Sequence, residues 1–373
     1  MVEAVRLVGI HLQDYRNIAL ARLHFEGSRI FFQGPNGQGK TNLLEAIGYA
    51  TAMRSFRSSD YHHLMKSGTR ETGILYFFAD HRNQESQLEI RLRPGSRELR
   101  LGERKVPRLG EIIGQFPVVV FSSQDLQILR GPPGLRRRWL DMTLATTSPS
   151  YLQVLREYQD ALQSRNALLR KPPFREEFFA PFEALLVDRG WKLRRYRSEG
   201  IQELSRQLAG FYDELTGGLE KGEMHYLPGI RDEEGAEAWK TRLAAQRERD
   251  HYRGGTGEGP HRDDWGFTLN GEEARTMASE GQQRGLVLAL GLAQSRYFAS
   301  LLEEEPILLA DDILGELDEE RRVRFWSLLP PQAQIFATGT SWPQGLGSVF
   351  WERWQVKAGT FQRRASEDSS EAG

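Results

Sequence analysis

Cysteine is absent from this 373-residue chain, which removes disulfides, thiolate zinc sites, cysteine nucleophiles and CxxC hooks in one step. A surplus of either charge is absent too. Fifty Lys and Arg face 51 Asp and Glu, a formal net of -1, so a nucleic-acid surface has to be a local patch rather than the whole molecule. Long apolar runs are also lacking: the longest, Gly285 to Ala293, has 9 residues, against the ~20 a spanning helix needs. The first residues, Met-Val-Glu-Ala-Val-Arg, have no charged-then-apolar leader layout, so the expected location is the cytoplasm, with no membrane partner. No internal repeat or long heptad array is visible. What remains is a globular composition, with 39% hydrophobic and 27% charged residues and a mean hydropathy of -0.55. The length suits two to three domain-sized units.

Against that background one segment is unusual. Ile30, Phe31 and Phe32 run as a strand into Gly34-Pro35-Asn36-Gly37-Gln38-Gly39-Lys40-Thr41, and Leu43, Leu44, Ile47 and Ala50 then recur at helical spacing to about Met53. Strand, glycine-rich turn and helix in that order are the context in which GxxxxGK[ST] binds phosphate. The glycines let backbone N–H groups wrap the phosphates, and the helix N-terminus adds positive potential there. Lys40 is assigned to the β- and γ-phosphates and to catalysis, and Thr41 to Mg²⁺. The expected ligand is ATP.

Two further motifs complete a pattern. The apolar run from Ile307 to Ala310 ends in Asp311-Asp312, as a buried parallel strand does when its C-terminal end opens at a nucleotide crevice. Asp311 is assigned to the metal and Asp312 to the attacking water. Ser279-Glu280-Gly281-Gln282 opens an apolar helix running to about Leu302, so Ser279, Gly281 and Gln282 form an N-terminal anion site. About 270 residues separate Lys40 from Asp311, and the serine motif lies some 30 residues before the acids. This is the layout of the ATP-binding-cassette (ABC) ATPases, in which the serine motif of one subunit closes over the nucleotide of another. The expected fold is α/β, an ABC-type P-loop ATPase head with a mixed α/β lobe and an inserted helical lobe. The expected domains are 1–130 plus 220–360 for the discontinuous ATPase lobe, 131–219 for the inserted basic lobe, and 361–373 for a disordered acidic tail.

The insertion concentrates positive charge, with 15 Lys and Arg against 9 Asp and Glu from Arg130 to Arg206. The DNA candidates there are Arg136, Arg137, Arg138, Arg189, Lys192, Arg194, Arg195 and Arg197, which would neutralise phosphates without reading sequence. The bland reading is a solvated helix face.

Tyr15-Arg16-Asn17, Asn36 to Ile47 running into Arg54-Ser55-Phe56-Arg57, Gly131-Pro132-Pro133 with Arg136-Arg137-Arg138 and Leu140-Asp141, Arg165-Asn166, Gly259-Pro260-His261-Arg262-Asp263-Asp264, the Ser279 motif, and Asp311-Asp312 with Glu316-Leu317-Asp318 together resemble the RecF family of DNA replication and repair proteins. The resemblance spans residues about 5 to 340. It implies an ATP-dependent homodimer on double-stranded DNA and on double/single-strand junctions. It also implies RecR- and RecO-type partners in loading recombinase at gaps, slow hydrolysis as a switch, and a place in the SOS response. By the same analogy Gln124 senses Mg²⁺ and the γ-phosphate, although Ser123-Gln124 stands where the family commonly has proline and an acid. Thr338-Gly339-Thr340 shows no switch histidine of the transporter type. Arg16 and Asn17 are candidates to border the base, Arg54 and Arg57 to touch nucleotide or DNA. His261 with Asp263 and Asp264 is read as a hydrogen-bonded turn rather than a metal site. The alternatives are a non-hydrolysing ATP-bound clamp and a transporter subunit, and Asp312 discriminates the first.

Overall fold

The computed structural model describes residues 3–4, 6–52, 55–58, 60–80, 84–170, 176–230, 235–313, 318–342 and 350–364. Arg54 and Glu316-Leu317 lie outside the described residues. The chain divides into two compact units, Met1–Asp125 with Glu214–Gly218 and Leu288–Gly373, and Leu126–Asp213 with Leu219–Val287. The expected insertion, 131–219, is therefore too narrow. Residues 219–287 pack with the helices because the strand Gly222–Leu227 pairs antiparallel with Asp264–Leu269 inside that unit.

The first unit holds two six-stranded sheets. In one, strands Glu352–Lys357, Arg29–Gln33, Ile335–Gly339, Ile307–Asp311 and Val118–Ser122 run parallel in that order, with Thr360–Arg363 antiparallel at the edge. Buried on both faces, these strands are near-continuous apolar runs such as Ile-Leu-Leu-Ala and Ile-Phe-Ala. The other sheet is an antiparallel meander from Arg6–Tyr15 to Arg104–Lys105. Its strand Thr72–Ala79 alternates buried and half-buried residues, as a sheet with one wet face does. The two sheets share one core with the helix Lys40–Ala52, whose Leu43, Leu44, Ala46, Ile47, Tyr49 and Ala50 are all buried. At ~1.5–3 kcal/mol per large buried apolar side chain, this packing anchors the helix whose first turn carries the glycine loop. Tyr76 ties the meander to it by donating its hydroxyl to Ala46 O at 2.5 Å.

The second unit is mainly helical: Pro133–Thr147, Pro149–Arg170, the long Ala180–Thr216 that ends in the first unit's residues, Gly235–Ala245 and Arg247–Arg253. Proline at the first helical position of Pro133 and Pro149 costs no hydrogen bond, because that N–H is unpaired in any helix. Among the described residues one helix, Glu280–Leu302, is long and apolar enough by composition to cross a membrane, and 67% of its apolar window is buried inside the protein. Residues 361–363, expected in a tail, belong to the edge strand. Residues 365–373 lie outside the described residues.

Candidate functional site

The parallel register decides what meets what. Asp311 pairs with Ser122, Ala310 with Ala337, and Gly339 with Gln33, so three strand ends and the glycine loop arrive at one level. The loop is held on three sides. A Cβ on Gly34 would lie 2.4 Å from Val356 O, and Gly39, at φ +113°, would press its Cβ to 3.0 Å from Asn17 Oδ1. Gln38 accepts from Ala358 N at 2.7 Å through its side chain and from Gly359 N at 2.8 Å through its carbonyl. Gly37 also sits at positive φ, +77°, a conformation that costs glycine little. Asn36 and Gly37 are exposed at the tip of the turn.

Lys40 is buried, and its ammonium donates to Gly34 O at 2.6 Å and Pro35 O at 3.0 Å. Desolvation holds its pKa below the usual lysine range, while the carboxylates of Asp312 and Asp311 pull it back up. A desolvated cation bonded to neutral carbonyls is an anion site waiting for a stronger partner. Thr41 Oγ1 donates to Asp311 Oδ1 at 2.9 Å, and Thr338 Oγ1 donates to the same oxygen at 3.0 Å. Burial pushes the Asp311 carboxyl above the ordinary range, and those two hydroxyls oppose the shift. Thr338 Oγ1 in turn accepts from Asp312 N at 2.9 Å. Asp312 takes φ +55° and is exposed. The two acids thus divide into a half-buried one beside two hydroxyls and an exposed one. A hydroxyl and a carboxylate on adjoining oxygens are hard donors suited to Mg²⁺.

Thr338 was missed as a site residue: it stands where a switch histidine was sought, on the neighbouring strand, and only register brings it to Asp311. Glu45 is a second omission. It is fully buried and accepts both Arg16 Nε at 2.6 Å and Arg16 Nη2 at 2.5 Å, with Arg57 Nη1 3.8 Å away. Arg16 and Arg57 therefore brace the helix Lys40–Ala52, and Asn17 braces the loop through Asn42 at 2.8 Å. Gln124 is exposed, with its N–H on Ser122 Oγ at 3.0 Å. Its neighbour Asp125 accepts from Ser122 N at 2.7 Å, and burial near Asp311 pushes its carboxyl up to about 7.

In the second unit the serine motif forms a reciprocal N-terminal box. Ser279 N donates to Gln282 Oε1 at 2.7 Å and Gln282 N to Ser279 Oγ at 3.4 Å. Ser279 is exposed and Gly281 half-exposed, while the Gln282 amide also donates to Glu220 at 2.7 Å.

The basic candidates separate sharply, and three of them need correction. Arg136 is buried, bonded to both oxygens of Asp264 at 2.7 and 2.8 Å and to Gly131 O at 2.8 Å. Arg197 is buried against Asp141 at 2.8 Å, Asp263 at 2.7 Å and Pro260 O at 2.6 Å. Arg194 is buried with its guanidinium 5.0 Å from the Trp191 ring centre. These three hold the fold and do not face solvent phosphates. Arg137 is half-buried on Asp263 O at 2.7 Å. Arg189 pairs with Glu157 and Asp188, and Lys192 with Asp188 at 3.2 Å. Arg195, near Glu199 at 3.3 Å, and Arg138 are exposed. The turn 259–264 is a hydrogen-bonded knot. His261 joins Tyr158 Oη at 2.7 Å and Thr256 O at 2.9 Å, and Asp263 serves Arg197, Tyr226 and Gly229 N.

Comparison with known proteins agrees with this geometry. The family model described as the RecF/RecN/SMC N terminal domain matches residues 6–341. The DNA replication and repair protein RecF of Moorella thermoacetica is 40% identical over 319 residues, 84% of each chain. That of Bacillus mycoides is 34% identical over 342 residues, 89% of this chain and 91% of the relative. A solved structure of the recombination mediator protein RecF-ATP in the RecFOR pathway matches with a TM-score of 0.90 at 28% identity, covering 98% of this chain and 99% of that one. The Smc head domain of Pyrococcus furiosus matches at TM-score 0.55 and 14% identity, a likeness of fold alone. The expected ABC-type ATPase head fold is the one observed.

Proposed function

We propose, for a chain that belongs to the RecF family of DNA replication and repair proteins, that it binds ATP with Mg²⁺ on the loop Gly34–Thr41 and acts as an ATP-gated, DNA-binding recombination mediator in the cytoplasm. The observation that carries the reading is the convergence of Lys40, Thr41, Asp311 and Thr338 at one level of the parallel sheet. The loop amides and Lys40 neutralise the phosphates, with Lys40 exchanging carbonyls for charged oxygens. Thr41 Oγ1 and the Asp311 carboxylate would hold Mg²⁺, which would supply charge neutralisation to the phosphates. Asp312 orients and deprotonates water in a slow hydrolysis that resets the switch.

Ser279, Gly281 and Gln282 are capped, exposed and offered to the γ-phosphate held by a second copy, so that ATP closes a homodimer. That dimer binds duplex DNA and double/single-strand junctions, with RecR- and RecO-type proteins as partners in recombinase loading and in the SOS response. Phosphate contacts fall to Arg138, Lys192 and Arg195 at the surface, with Arg137 and Arg189 beside them.

The test is sedimentation with and without Mg-ATP. Lys40→Met and Ser279→Arg each abolish ATP-driven dimerisation, Ser279→Arg while the monomer still binds ATP. An equal mixture of the two restores dimers, because each mixed pair retains one intact composite site. Failure of the mixture to associate would remove the composite site from the account. Asp312→Asn keeps the dimer and loses turnover, and normal turnover would move the water-orienting role elsewhere.

A further inference from the structure

The short helix Arg247–Arg253 has two faces of opposite use. Arg247, Asp250 and His251, at i, i+3 and i+4, are tied to the body of the helical unit. Arg247 bonds Glu183 at 2.5 Å, Asp250 accepts from Arg165 at 2.7 Å, and His251 meets Leu169 O at 2.5 Å. Arg249, Tyr252 and Arg253 share the opposite face at the same spacing, and all three are exposed. Tyr252 is 93% exposed, more than any other large hydrophobic side chain among the described residues. An exposed aromatic ring thus shares one helix face with two exposed arginines.

The surrounding acids are mostly spoken for. Asp250 is held by Arg165, Glu258 by Arg242 at 2.8 Å, and Glu183 by Arg165 and Arg247. Of the two acids on this helix, Glu248 is exposed and Asp250 buried. Beyond the helix, Gly254 takes the left-handed cap at φ +70°, and Arg170 Nε donates to Gly254 O at 2.8 Å. That bond ties the cap after this helix to the helix Pro149–Arg170, where Gln159, Leu162, Gln163, Asn166, Ala167 and Arg170 line a groove of about 480 Å³. Its size lies within the ~300–1,000 Å³ of small-ligand clefts, and its walls offer side-chain amides over an apolar floor.

We propose that this face binds single-stranded nucleic acid: one base stacks on Tyr252, Arg249 and Arg253 take the flanking phosphates, and the next nucleotide lies against the amide-lined groove. Aromatic platforms with arginines bind strands in this way without reading sequence, and the two exposed guanidinium groups match the charge of a phosphate backbone. The inference rests on the reading that the chain binds DNA, and it deepens that reading by placing the single-stranded arm of a junction on a surface with no part in the nucleotide motifs.

Binding of the full chain to a labelled duplex with an oligo-dT overhang, and to the same duplex blunt, tests it. Tyr252→Ala lowers affinity for the overhang substrate by about five- to hundred-fold, the range of one stacked base, and leaves the blunt duplex unaffected. Tyr252→Trp retains or raises overhang affinity. Arg249→Gln and Arg253→Gln each flatten the log affinity against log salt slope by ~0.7 on the single strand, and Glu248→Gln strengthens binding. Overhang affinity unchanged in Tyr252→Ala overturns the inference while leaving DNA binding intact. Loss of ATP-driven self-association without loss of overhang affinity would make the face a protein contact and overturn it equally. Wild type that binds neither substrate would instead sink the underlying reading of the chain as a DNA binder.

Discussion

The glycine-loop unit and the helical unit both spend charged residues from dense sequence motifs, and they spend them in opposite ways. In the first, Lys40 is desolvated and bonded only to neutral carbonyls, while Asp312 is exposed at positive φ. In the second, Arg136, Arg165 and Arg197 are buried with acids and carbonyls arranged around every arm. The lesson is that a charge in a motif marks a ligand site when its partners leave it under-served, and a scaffold when they saturate it. Buried ion pairs of the second kind cost much to desolvate, so breaking one is far worse than never having built it.

The largest effect that would sharpen this contrast comes from Arg197→Met, which strands Asp141 and Asp263 in the interior. It should destabilise the helical unit by about 3–5 kcal/mol, read by chemical denaturation. A loss within experimental error would show that the knot is not what holds the unit. Lys40→Met should leave the ligand-free fold as stable as wild type or slightly more so, while weakening ATP by about 1.5–3 kcal/mol, the worth of hydrogen bonds to a charged group. Titration calorimetry checks this, and undiminished affinity would break the comparison from the other side.

A smaller change is expected from Thr338→Val, which removes the hydroxyl shared by Asp311 and the Asp312 N–H. The fold should lose about 0.5–1.5 kcal/mol, with ATP turnover falling more than ATP affinity. Turnover at the wild-type rate would confine Thr338 to scaffolding. A change that appears only with pH is the response of Asp125. Its carboxyl is raised from 3.8 to about 7 in the fold, so the native state binds the proton more tightly than the unfolded one. The stability this gives is present at pH 4 and is lost as pH rises toward 7. Asp125→Asn should therefore raise the melting temperature by a few degrees at pH 8 and hardly at all at pH 4. Equal effects at both pH values would contradict a raised carboxyl.

How much of this was readable in the sequence follows the same division. That Lys40 and Thr41 open a helix was legible because a glycine loop between strand and helix fixes the backbone locally, and that Asp311 ends a strand because an apolar run stops there. Thr338 was not, since only strand register brings it to Asp311. Three of the arginines, Arg136, Arg194 and Arg197, were misassigned, although the signal was there. Arg197 stands on the stripe Leu193, Ile201, Leu204 and Leu208, and Arg165 on Tyr158, Ala161 and Leu169, all of them buried. An arginine at an apolar position of a 3.6-residue period faces the core and must be paired there. The boundary of the helical unit was missed because the strand Gly222–Leu227 finds its partner at Asp264–Leu269, some forty residues on.

Thermal melting of wild type, Lys40→Met and Arg197→Met, each with and without Mg-ATP, tests the division most directly. A ligand that binds only the native state raises stability by RT ln(1 + [L]/Kd). Lys40→Met should melt where ligand-free wild type does and gain clearly less from Mg-ATP than wild type gains, whereas Arg197→Met should melt lower without ligand and keep the gain in the nucleotide-binding unit. A Lys40→Met protein that gains as much as wild type, or one that is destabilised as deeply as Arg197→Met, would contradict the account.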